Sequence, residues 1–130
     1  MLAEDHRIAR ALELIRLRYS EPSLRLRCVA QAVGLSPWHF DRLLKRHTGM
    51  AFREHLANVR LMQAAELLVH HAMAIKLVAY TVGYKQTSVL DRAFKRRHGC
   101  PPSVWRERRH RGDVAARIDD RPQELSTDRC

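Results

Sequence analysis

A chain of 130 residues can build one compact domain or two small lobes around a modest core. It has no run of about 18 apolar residues that could span a membrane, and its start, MLAEDHRIAR, lacks the apolar segment of a secretory signal, so a cytoplasmic chain without a membrane partner is expected. The formal net charge of +10 is carried unevenly: residues 1–111 hold 21 Lys and Arg against 9 Asp and Glu, whereas residues 112–130 hold 3 against 5, so the basic part points to a polyanionic partner.

The first predicted helix runs from about Asp5 to Tyr19, with Ile8, Leu12, Ile15 and Tyr19 at helical spacing. Pro22 ends it, because a proline disfavours helical geometry in the residue before it. Arg7, Arg10, Arg16 and Arg18 are read as mainly solvated. A short helix follows from Leu26 to Val33, closed by Gly34, which can take the left-handed conformation that helix C-termini often need. Ser36 then caps a third helix with Pro37 at its first position. That helix, Pro37 to His47, places Phe40, Leu43 and Leu44 inward and leaves Trp38, His39, Asp41, Arg42, Lys45 and Arg46 outward or at its edge.

Ala51 to His71 reads as one long helix. Phe52, Leu56, Ala57, Val59, Leu61, Ala64, Leu67 and Leu68 cover roughly half its circumference, enough to pack against neighbours on two sides. About 20 residues at 1.5 Å rise give a spacer of roughly 30 Å, near the one-turn repeat of B-DNA. Beyond it, Ala74 to Val82 forms another short helix, Gly83 a turn, and Thr87 to His98 a basic helix with Leu90, Ala93 and Phe94 inward. Gly99 ends that helix, and Pro101-Pro102 open a last one through Trp105 to about Arg111.

The two halves are copies. At an offset of 49, Val29, Ala30, Val33 and Gly34 match Val78, Ala79, Val82 and Gly83; after one extra residue the offset is 50, and Asp41, Arg42, Lys45, Arg46 and Gly49 match Asp91, Arg92, Lys95, Arg96 and Gly99. A duplicated helix, tight glycine turn and basic second helix is the helix-turn-helix arrangement, whose second helix can enter the DNA major groove. The expected fold is all-α, about seven helices, with two helix-turn-helix lobes (residues 1–50 and 72–111) joined by a connecting helix (51–71). Residues 112–130 are expected to form a mostly disordered tail.

These residues resemble the DNA-binding domain of the AraC/XylS family of bacterial transcription regulators. The second copy carries the resemblance best, through Ile75, Val78-Ala79, Val82-Gly83-Tyr84, Leu90, Arg92, Phe94-Lys95, Gly99, Pro102 and Trp105-Arg106. The first matches through Val29-Ala30, Val33-Gly34-Leu35-Ser36, Trp38-His39-Phe40, Arg42, Lys45 and Gly49, and the long helix through Arg60-Leu61, Ala64 and Leu67-Leu68. The match spans about Ala9 to Arg108. It implies two recognition helices reading successive major-groove faces as a monomer, on the model of the small stand-alone members, in the bacterial nucleoid. Trp38, Asp41 and Arg42 occupy the base-facing positions of the first recognition helix; Thr87, Ser88 and Arg92 occupy those of the second. His39 and Asp91 are added as base-side candidates. Arg25 and Gln86 stand where the family often has a good helix cap, Phe52 where the second copy has a proline, and Leu90 where an aromatic is common.

Arg42 and Arg92 can each present a fork to guanine O6 and N7. Lys45, Arg46, Lys85, Lys95, Arg96 and Arg97, with Ser36, are assigned to phosphates, which supply affinity without sequence information. Asp41 and Asp91 repel phosphate; pairing with Lys45 and Lys95 four residues on is favoured over accepting from cytosine N4. Trp38 can meet a thymine methyl or pack on its own turn. Arg60 falls on the apolar face of the long helix and must be paired if buried, with Glu66, Glu107 or backbone carbonyls as candidates.

No catalytic residue, cofactor or metal is expected. His70 and His71 are adjacent and diverge by about 100° on a helix. Cys28, Cys100 and Cys130 are far apart with no C-x-x-C pair, which argues against structural disulfides and zinc. The leading reading is a sequence-specific activator that binds double-stranded DNA and touches RNA polymerase. The alternatives are a non-specific architectural DNA-binding protein, or the targeting module of a DNA-repair enzyme. The latter needs a nucleophile, and neither Cys28, beside core residues, nor Cys100, before Pro-Pro, looks activated.

Overall fold

The computed structural model describes residues 2–116, which form seven helices and no strand among them. These are α1 (Leu2–Arg18), α2 (Leu26–Ala32), α3 (Pro37–Thr48), α4 (Phe52–His70), α5 (Ile75–Thr81), α6 (Thr87–His98) and α7 (Pro102–Ala116). The chain divides into two compact units, and the boundary falls between Arg60 and Leu61, inside α4. The connecting helix is therefore shared between two packing units. No helix among the described residues is long and apolar enough to cross a membrane.

In the first unit α1 packs on both α2 and α3. Ile8, Ala11 and Ile15 of α1 meet Val29 and Ala30 of α2, Phe40, Leu43 and Leu44 of α3, and Phe52 and Leu56 of α4 in one buried cluster. Fully burying a side chain of that size is worth about 1.5–3 kcal/mol, so this cluster holds three short helices that could not persist alone. Phe52 meets Phe40 edge-on, with ring centroids 6.4 Å apart. At the matching positions the second copy has Pro102 and Leu90, both buried. The first unit places its paired rings at Phe40 and Phe52, the second at Phe94 and Trp105.

Arg60 is 8% exposed. Of its three candidate partners the structure selects backbone carbonyls: Nε donates to Tyr19 O at 2.8 Å and a terminal nitrogen donates to Glu21 O at 2.9 Å. Those carbonyls lie just past the C-terminus of α1, where unsatisfied acceptors and the negative end of the helix dipole favour a cation. In the second unit Arg106 of α7 donates to Met73 O, just past the end of α4, at 2.7 Å.

Arg16 and Arg18 stay at the surface, as the sequence predicts, and pair there with Glu13 and Glu21, each within one helical turn of sequence. Cys28 is a free, exposed thiol, and Cys100 is buried. Contrary to expectation, α7 runs to Ala116, five residues into the expected tail. Residues 117–130 lie outside the described residues.

Candidate nucleic-acid interface

Each recognition helix begins after the same hydrogen-bonded turn. In the first unit Gly34 has φ 75°; its N–H donates to Gln31 O at 3.1 Å, and Leu35 N–H reaches back to Ala30 O at 2.9 Å. In the second, Gly83 has φ 108°, its N–H donates to Tyr80 O at 3.2 Å, and Tyr84 N–H reaches Ala79 O at 2.9 Å. This pair of bonds satisfies carbonyls that the helix end would leave open, and it requires a left-handed residue that only glycine adopts cheaply. Leu35 and Tyr84 are buried just beyond it, so the chain reverses and pins itself to the core in one step.

Capping separates the two units. The Ser36 hydroxyl accepts from His39 N–H at 3.1 Å at the start of α3. Gln86 makes no side-chain cap on α6, and Arg25 none on α2, as the sequence predicts. Ser36, proposed for phosphate contact, thus has one oxygen lone pair engaged and its hydroxyl hydrogen available to donate.

On α3 the structure leaves Trp38, Arg42, Lys45 and Arg46 exposed and Asp41 half-buried. On and before α6 it leaves Lys85, Ser88, Arg92, Lys95, Arg96 and Arg97 exposed, with Thr87 and Asp91 half-buried. The inward residues of both helices, Phe40, Leu43 and Leu44 in one and Leu90 and Phe94 in the other, are buried. Each helix therefore presents a basic face whose orientation is fixed by its apolar one.

Within α3 the side chains are organised differently from the sequence expectation. Neither Asp41 nor Asp91 forms an ion pair among the described residues, so the favoured pairing with Lys45 and Lys95 is not formed. In water such a pair gains little and loses the rotamer freedom of a lysine. Instead, the Arg42 guanidinium carbon lies over the Trp38 ring, 4.7 Å from its centroid. Trp38 is 68% exposed, so it is not packed on the turn. The i, i+4 spacing of the two residues was the available signal.

Two histidines of α3 face α1. His39 Nε2 lies 3.4 Å from Glu4 Oε2, which places this base-side candidate at the edge of the helix toward its scaffold. His47 Nε2 lies 2.6 Å from Asp5 Oδ1, and its Nδ1 donates to Leu43 O at 3.0 Å. A carboxylate and a carbonyl can both only accept, so the protonated ring suits the site best, and the bond to Asp5 first, then that to Leu43, holds the His47 pKa above its usual value. Forty-two residues separate His47 from Asp5, and no sequence pattern announces the pair.

The second unit supports α6 with rings. His98 lies 4.3 Å from Phe94 and 5.3 Å from Trp105, and Phe94 meets Trp105 edge-on at 5.3 Å. Burial, then the charges of Arg97 and Arg109, push the His98 pKa down, so the ring is kept neutral and packs as an aromatic. Arg109 lies over Trp105 at 5.2 Å.

A family model described as a helix-turn-helix domain matches residues 29–108. Among curated proteins, the regulatory protein PocR of Salmonella typhimurium is 33% identical over 103 residues, covering 79% of this chain and 34% of that protein. The chain thus spans about a third of the length of that relative. Among solved structures, the DNA-binding domain of AdpA, a global transcriptional factor, in complex with a target DNA superposes with a TM-score of 0.73 at 26% identity, covering 89% of this chain and 96% of that one. A transcriptional regulator with an AraC-type DNA-binding domain from Chromobacterium violaceum superposes with a TM-score of 0.74 at 20% identity, over 84% of this chain and 96% of that one, and shows the same fold.

Proposed function

Because the chain belongs to the AraC-type family of helix-turn-helix transcription regulators, we propose that it binds double-stranded DNA and reads one duplex through two recognition helices, α3 and α6, in successive major-groove faces. The observation that carries this reading is the repetition of one device. In both units a glycine turn with the same two backbone bonds leads into a helix that exposes an arginine, Arg42 or Arg92, at the same position.

In this reading Arg42 and Arg92 contact guanine, and Trp38, Asp41, Thr87, Ser88 and Asp91 line the base-side face. With neither aspartate held by a lysine, each is available to accept from cytosine N4. His39 sits at the edge, toward Glu4. Ser36, Lys45, Arg46, Lys85, Lys95, Arg96 and Arg97 hold phosphates, which set register and affinity. The protein binds as a monomer, in the bacterial nucleoid, and activates transcription. An activator needs a protein-facing surface apart from its DNA face, and α5 offers Leu77 and Tyr80, 51% and 47% exposed, for contact with RNA polymerase.

The test is selection from a random duplex pool, followed by binding of the winner at two salt concentrations. A bipartite motif with half-sites about 10 bp apart is expected. Losing one half in Arg42→Ala and the other in Arg92→Ala assigns the two helices. No enrichment, with steep salt dependence, would leave the architectural alternative standing and overturn sequence-specific reading. Activation is tested by transcription with purified polymerase from a promoter carrying the selected site, where unchanged or lowered transcript overturns that part.

A further inference from the structure

The repeat makes the two recognition helices comparable residue by residue, and one side-chain relationship breaks the symmetry. One turn before Arg42 stands Trp38, and the Arg42 guanidinium lies over its ring at 4.7 Å. One turn before Arg92, at the matching position, stands Ser88, which has no ring. Both arginines are exposed and sit on helices anchored at two matching buried positions, Phe40 and Leu44 in α3 and Leu90 and Phe94 in α6. What differs is whether the fork is held.

A guanidinium over an aromatic face is attracted by the ring's π cloud, while its N–H donors point outward along its edge. The stack therefore restrains the arginine without using the donors that a guanine needs. An arginine free in water must lose its rotamer freedom when it docks; one already held by a ring loses less, and it also has fewer alternative geometries in which to accommodate a wrong base. Trp38 is 68% exposed and its own ring is not fixed by the core, so the restraint on Arg42 is local to this pair.

We propose that Trp38 is a positioning residue for Arg42, and that the first unit consequently discriminates its half-site more sharply than the second. This rests on the DNA-reading function proposed above and adds which half of the site tolerates substitution. The chemistry recognised is a guanine edge in the first half-site, read by a fork that the ring restrains. In the second half-site the same arginine type reads with a freer fork, and Arg92 can shift to a phosphate when the base is wrong.

The experiment uses the full chain and the duplex selected above, with single base-pair substitutions across each half-site. In the native protein the largest mismatch penalty is expected in the first half-site, at the pair read by Arg42. Ordering one long side chain corresponds to about a 2- to 10-fold change in binding, so Trp38→Ser should shrink that penalty by about 5-fold and leave the second half-site's penalties unchanged. Trp38→Phe, which keeps a ring, should retain part of the discrimination, and Ser88→Trp should raise it in the second half. In an Arg42→Ala background, Trp38→Ser should change the penalty no further. The proposal is overturned if Trp38→Ser weakens matched and mismatched duplexes equally, or acts as strongly without Arg42, because Trp38 then works through its own DNA contact. Because Trp38 is exposed, its replacement leaves the core intact, and an unchanged thermal midpoint verifies this. A native chain that binds every duplex alike overturns the DNA-reading function itself, and the proposal with it.

Discussion

Arg60 Nε donates to the carbonyl of Tyr19 across 2.8 Å, joining the middle of α4 to the end of α1, forty-one residues earlier. With the second bond to Glu21 O, one fork fixes the C-terminus of the scaffold helix against the connecting helix. Arg60 is buried, and these two carbonyls replace water around its charge.

Arg60→Met keeps the apolar stem and removes the fork. We expect a loss of about 2–3 kcal/mol in the first unit, since each charge-assisted bond is worth more than a neutral one and two carbonyls lose their donor. For a unit of this size that lowers the melting midpoint by about 10 °C or more. Arg60→Lys keeps the charge but spans the two carbonyls poorly, so it should fall between. A midpoint unchanged in thermal unfolding of Arg60→Met would show that the fork is dispensable.

Gly34→Ala separates conformation from space. A Cβ at Gly34 meets nothing within 4 Å, yet the residue sits at φ +75°. The cost should be about 1–2 kcal/mol of conformational strain alone. Gly34→Asn should be milder than Gly34→Ala, because asparagine tolerates the left-handed region better. Denaturant titrations of the two variants check the order, and the reverse order would point to a steric cause.

Acidification should act oppositely on two histidines. The His47 pKa is raised by its bond to Asp5, so its contribution is full below the unfolded value near 6.5 and is lost as pH rises through the folded value. The His98 pKa is lowered by burial, so its contribution is present above about 6.5 and is lost as pH falls through the folded value. His55, lowered by burial, behaves like His98 and opposes His47 within the first unit, so single variants are needed. Between pH 8 and pH 6, the deficit of His47→Gln relative to the native chain should grow, whereas His98→Phe should gain on the native chain. Stability measured in denaturant at both pH values decides each sign separately.

Base-reading and phosphate residues should differ in their salt dependence. Arg92→Ala should cost about 1–3 kcal/mol on the matched duplex and relax selectivity at one position of the second half-site. Lys95→Ala should weaken all duplexes alike and lower the slope of log affinity against log salt by about 1. Fluorescence anisotropy titrations at several salt concentrations distinguish them. A change in selectivity for Lys95→Ala would move that residue to the base-side face.

By itself the sequence determined the helices, the duplication and the basic faces, because these rest on local physics. Apolar spacing places Phe40, Leu44, Leu90 and Phe94 inward, and Gly34 and Gly99 mark helix ends through the backbone freedom only glycine has; α6 begins and ends at the predicted Thr87 and His98. The repeat also marked Arg42 and Arg92 as equivalent. Tertiary structure decided the partners of the polar side chains. Arg60 had three candidate partners and found two carbonyls, His47 found Asp5 across 42 residues, and His39 turned toward Glu4. Periodicity says which face a residue occupies, but a charge or a ring nitrogen is satisfied by whichever group folding brings within about 3 Å. Even within one helix, Trp38 was free to meet Arg42 while Asp41 left Lys45 unpaired, because in solvent a ring face holds a guanidinium at little desolvation cost and an isolated ion pair gains almost nothing.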